Sequence, residues 1–125
     1  TLMDTRPDVM QVEAGQAAAA AVLEMLLHTS GGVLRVFPAV PRTWQEASFA
    51  GIRAEGAFLV DAQFEGGRIT SVRVRSEAGA LLRLQNPWGE GPVAIRRDGA
   101  ALEHARGRLI ELATHAGETL ELNRV

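Results

Sequence analysis

Few residues in this chain can carry chemistry, and most of them are badly spaced for it. The three histidines, His28, His104 and His115, fall in separate stretches, with no HExxH or other paired ligand spacing. They read as surface or hydrogen-bonded side chains, and no metal is implied. The chain has no Cys, which excludes a thiol nucleophile, a disulfide framework and a Cys-based metal site. Ser30, Ser48, Ser71 and Ser76 lack a G-x-S-x-G setting, and without Lys there is no P-loop. Gly89-Glu90-Gly91 lacks the strand-to-helix context that a nucleotide would need. No cofactor is implied.

Carboxylates and indoles remain. Glu13 and Glu24 would share one stripe of a helix read over residues 12–28, about 16 Å apart along its axis at 1.5 Å rise per residue. A glycosidase pair must stand about 5 to 9.5 Å apart, so these two cannot flank one bond together. Glu13 would open that helix, where the dipole favours an ionised carboxylate suited to a base. The plainer reading of Glu13 is first-turn helix stabilisation. Glu24 and His28, at i and i+4, read as a local pair. Trp44 and Trp88 are candidates for stacking on sugar rings. Both lie near prolines, where an indole more commonly packs over the end of a core.

The elements that must position these residues follow from the apolar pattern. Ala17 to Ala21, with Leu23, Met25, Leu26 and Leu27, favour helix, and Ser30-Gly31-Gly32 stop it. Gln16, Glu13, Glu24 and His28 form a narrow polar stripe on a helix otherwise apolar, one that is built to be buried on most sides. Residues 33–40 are a short apolar run ended by Pro38 and Pro41, which predicts an edge strand or an extended crossover. Phe58, Val60, Ala62 and Phe64 alternate with Leu59, Asp61, Gln63 and Glu65, the pattern of a half-buried strand. Gly66-Gly67 predicts a two-residue hairpin returning over 68–75. A strand over 81–85 ends at Asn86-Pro87, and 93–97 and 101–104 flank the Asp98-Gly99 hairpin signal. Residues 108–113 and 118–123 are expected to pair around His115-Ala116-Gly117. Short strands with turns every 8 to 12 residues predict a mainly β fold, an antiparallel β-sandwich preceded by one apolar helix.

Composition bounds the partners. The chain has 125 residues, 46% hydrophobic and 22% charged, enough for one domain with a proper core. A net charge of −2 argues against nucleic acid, and the 13 basic residues, all Arg, do not cluster. No apolar run reaches the ~20 residues of a membrane helix. The opening TLMDTRPDVMQ shows no signal-peptide pattern and reads as the middle of a longer protein.

Several motifs, in order, resemble glycoside hydrolase family 95, the α-L-fucosidase group. Gln11-Val12-Glu13-Ala14-Gly15, the alanine run and Glu24-Met25-Leu26-Leu27-His28 are similar to that family's Q-I-D-G-N-F-G, small residues, A-E-M-L-L-Q-S. Phe37-Pro38-Ala39-Val40-Pro41 with Trp44 looks like its L-P-A-L-P-x-x-W. Residues 51–61, GIRAEGAFLVD, are similar to its G-L-R-A-R-G-G-F-E-V-D. The likeness covers Gln11 to about Arg75; beyond that only the β-rich character agrees.

The resemblance implies a last helix of an (α/α)6 catalytic barrel over residues 1–32, and a C-terminal β-sandwich domain over residues 33–125. Its expected partners are the barrel of the parent chain and a carbohydrate substrate, with O-glycosyl bonds hydrolysed by inversion in the parent enzyme. Glu13 matches the family's catalytic-centre Asp, one methylene longer; Ala14, Gly15 and Gln16 stand where Gly, Asn and Phe are usual. The general acid would come from barrel segments absent here, so the fragment alone would be inactive. The alternatives are an autonomous carbohydrate-binding sandwich using Trp44 or Trp88, and an oligomerisation domain that self-associates through the apolar helix.

Overall fold

The computed structural model describes residues 9–13 and 25–125, and these form eleven strands in two sheets. They are β1 (Val9–Glu13), β2 (Leu27–Ser30), β3 (Val33–Val36), β4 (Glu46–Ala54), β5 (Phe58–Glu65) and β6 (Arg68–Ser76). There follow β7 (Leu82–Gln85), β8 (Val93–Arg97), β9 (Ala101–Ala105), β10 (Leu109–Leu112) and β11 (Thr119–Arg124). The large sheet runs β1-β4-β5-β6-β11-β8-β9 and the small one β10-β7-β3-β2. Pairing is antiparallel except for β1 with β4 and β3 with β7.

Strict alternation builds the core. Val60, Ala62, Val72, Val74, Leu120, Leu122, Val93 and Ile95 point inward from the large sheet, and Leu34, Leu82, Leu84 and Ile110 answer from the small one. Each such aliphatic side chain contributes about 1.5–3 kcal/mol when withdrawn from water. Phe37 seals one end, its ring 5.3 Å from Phe49 and 5.6 Å from Phe64. The two hairpins marked by glycine form as expected. Gly66 and Gly67 both take positive φ between β5 and β6, and Asp98 and Gly99 do so between β8 and β9.

Two expectations need correction, and one strand is new. The expected helix falls largely on residues 14–24, outside the described residues; within the described ones Met25 and Leu26 are helical, and strand lies on either side. Glu13 closes β1, and Leu27 and His28 open β2. The β4 edge and β3 supply the backbone partners of these strand residues. Next, β3 is interior rather than at an edge. It stops at Val36 before the prolines, and Phe37, with φ of 49°, turns the chain and donates its N–H to the Leu26 carbonyl at 2.7 Å. The strand β4 is an addition that no alternation announced, because a bulge between Phe49 and Ile52 shifts its register midway. Finally, β10 and β11 do not form a hairpin. They lie in different sheets, β10 beside β7 and β11 between β6 and β8.

The crossing between them is held by buried polar groups. The hydroxyls of Ser76 and Thr114 are 2.8 Å apart, and Thr114 also donates to the Ala80 carbonyl. Every buried side-chain N and O among the described residues has a partner, as a native interior requires.

Candidate functional site

The sequence candidates are dispersed by the fold. Glu13 is the last residue of β1, in register with Ala50 on β4. Glu13 thus stands at a strand end, and the helix start expected beyond it falls on residues outside the described ones. Glu24 lies outside the described residues. His28 sits on β2 opposite Arg35, His104 on β9 opposite Ala94, and His115 in the loop before β11. Among the described residues no group of three or more His, Asp and Glu is placed to hold a metal ion.

The two indoles part company. Trp44 is 8% exposed and belongs to the core, its N–H closing a turn onto the Pro41 carbonyl at 3.1 Å. A sugar stacks on an open ring face, so Trp44 is placed for packing. Trp88 is half-buried, and its indole N–H donates to the Ile69 carbonyl at 2.7 Å. The loop that carries it is organised by buried Asn86, whose Oδ1 accepts from the Trp88 N–H at 2.9 Å and whose amide donates to the carbonyls of Gly91 and Gly107. The ring packs against the margin of the core and is partly exposed.

Sequence reading missed a groove on the outer face of the large sheet, about 430 Å³ in volume. It spans four neighbouring strands, β4, β5, β6 and β11. Two irregularities lie side by side in its wall: the β4 bulge, and a register shift after Gln63 in the β5–β6 pair. A bulge bends its strand and increases the local twist, which hollows a face that would otherwise be nearly flat. Gly51 takes φ of 65° in the first, and its N–H donates to Asp61 Oδ1 at 2.6 Å. At the second, the Thr70 hydroxyl donates to the Gln63 carbonyl at 3.3 Å.

Across the groove floor Asp61, Arg73 and Glu121 stand in register on β5, β6 and β11. Arg73 and Glu121 form an ion pair at 3.0 Å. The next row carries Ser48, Gln63 and Ser71, with Asn123 also in the lining. Nothing in the sequence flagged these residues, because each is the ordinary outward member of an alternating strand.

A second charged cluster, at the far end of the large sheet, is structural. Arg97 donates to Glu103 at 3.1 Å and to Glu118 at 2.7 Å, tying β8, β9 and the approach to β11. The arginine pKa is raised, foremost by the hydrogen bond to Glu103, with the charges of Glu103 and Glu118 adding to it against the opposing effect of burial.

Fold and groove together define a mainly β, two-sheet sandwich module. Residues 29–122 match the glycoside hydrolase family 95, C-terminal domain, and the chain belongs to that family. It is thus an accessory domain type of glycoside hydrolases. A comparison with curated proteins found no match.

Proposed function

We propose that this chain is the C-terminal accessory domain of an α-L-fucosidase-like glycoside hydrolase, packing against an (α/α)6 catalytic barrel supplied by the parent chain. The observation that carries the reading is the family match over residues 29–122, which joins the motif likeness beginning at Gln11. In this reading residues 1–32 contribute the lead-in and last barrel helix, and Glu13 contributes to an inverting site completed by the barrel, where it acts as the base that activates water. Support for a bracing role comes from β1. The five residues ending at Glu13 pair with β4, so the backbone that leads into a site at Glu13 is fixed to the sandwich.

The test is Glu13→Gln in the full-length parent enzyme. Loss of a general base should lower kcat by roughly 10²- to 10⁴-fold on an α-L-fucoside, with the sandwich still folded. An unchanged kcat would sink the assignment of Glu13.

A second reading, an autonomous carbohydrate-binding module, draws support from the half-buried indole of Trp88. Self-association through the apolar helix belongs to the same set of proposals, and sedimentation of the isolated chain measures it.

A further inference from the structure

The groove on the outer face of the large sheet has a chemistry of its own. Its charges are already engaged. Asp61 accepts the Gly51 N–H, and Arg73 is paired with Glu121, so the lining holds one cation against two carboxylates and offers little to a free anion. Metal-type acid clusters are absent among the described residues. Large exposed apolar side chains lie elsewhere, at Leu81, Leu102, Leu109 and Val125, and the groove surface is more polar than apolar. An extended peptide pairs with a sheet edge rather than with the side-chain face of central strands.

What the lining does offer is two primary amides and two hydroxyls, from Gln63, Asn123, Ser48 and Ser71. Each amide presents a carbonyl acceptor beside an N–H₂ donor, and each hydroxyl both donates and accepts. That set complements adjacent hydroxyl groups, which themselves both donate and accept. Four strands at about 4.8 Å spacing make the groove about 14 Å across, longer than a single pyranose ring. Hydrogen-bonding side chains held on strands are also better fixed than any on loops.

We propose that this groove binds a neutral polyhydroxylated ligand, an oligosaccharide segment, through hydrogen bonds from Gln63, Asn123, Ser48 and Ser71. The site does not include Trp88, and it makes the domain a substrate-holding as well as a bracing element. The choice of a glycan among polyols rests on the glycoside hydrolase reading; the polyol chemistry rests on the groove alone.

The experiment applies the 125-residue chain to an array of neutral and acidic oligosaccharides, followed by NMR titration of the ¹⁵N-labelled chain with the best-retained neutral one. Retention of neutral glycans is expected, with shifts concentrated at the Gln63 and Asn123 side-chain amides. The double variant Gln63→Ala/Asn123→Ala should weaken binding by about tenfold or more. Both groove positions are exposed, so the double variant is expected to fold, and amide dispersion of its spectrum checks this. Retention of acidic glycans only, no retention of any neutral glycan, or binding that the double variant leaves intact would each overturn the proposal. Failure of the fucosidase reading shows separately, as absent turnover of α-L-fucosides by the parent enzyme with the groove shifts preserved.

Discussion

The Gly51 N–H and the Asp61 carboxylate meet at 2.6 Å across neighbouring strands, and this contact makes the β4 bulge affordable. A bulged residue loses its ladder partner, and a half-buried N–H left without one costs about 1–3 kcal/mol. Asp61→Ala should lower stability by that amount in urea denaturation. Asp61→Asn keeps a carbonyl oxygen for the same N–H and should lose less than half as much. Equal losses for the two would show that the charge, rather than the acceptor, matters.

Two glycines with positive φ separate backbone strain from steric conflict. At Gly66, with φ of 60°, an added Cβ meets nothing within 4 Å, so Gly66→Ala should cost only the left-handed penalty of about 1–2 kcal/mol. At Gly56, with φ of 93°, the same Cβ would come within 2.8 Å of Phe58 Cε2. The Phe58 ring is 3% exposed and cannot swing away. Gly56→Ala should therefore cost about 1–3 kcal/mol more than Gly66→Ala, read as the difference in urea midpoints. A smaller loss at Gly56 would mean that the Phe58 pocket yields.

Arg97→Met removes the counter-charge of Glu118, whose side chain is 9% exposed. Breaking such a pair leaves a carboxylate with little water, and allowing for the partial exposure of Arg97 the loss should be about 1–3 kcal/mol. The sign of its pH dependence follows from the raised arginine pKa. Its contribution is fully present below the ordinary arginine value and fades only as pH climbs through the raised one. The Arg97→Met deficit should thus be the same at about pH 6 and about pH 9; a deficit that shrinks over that interval would contradict the assignment.

Local signals in the sequence located the hairpins and the core of the large sheet. Gly66-Gly67 and Asp98-Gly99 dictate turns within a few residues, and the Phe58-to-Glu65 alternation is visible without any partner. Pairings over long distances were not legible. His115-Ala116-Gly117 looks like a hairpin loop, yet it carries the chain from one sheet to the other, a crossing pinned by the Thr114–Ser76 contact, 38 residues apart. The strand β4 was hidden because its bulge breaks the period-two pattern at Gly51. The groove was invisible for a related reason. Its lining comes one or two residues at a time from four strands, and polar outward residues carry no mark until neighbouring bulges hollow the face they share. For Glu13 the sequence proposed a role and the fold supplied a neighbour, Ala50, at the rim of that groove.

The position of β11 sets the order in which this domain can come into being. It is the last of the described strands, yet it lies between β6 and β8 near the middle of the large sheet. Until it arrives, the β8–β9 hairpin has no sheet to join, and β6 presents a bare edge lined by inward Val72 and Val74. During synthesis the domain therefore cannot assemble progressively from its N-terminus; it must wait, partly open and adhesive, until residues 119–124 have left the ribosome. Its exposure to misassembly is greatest in that interval.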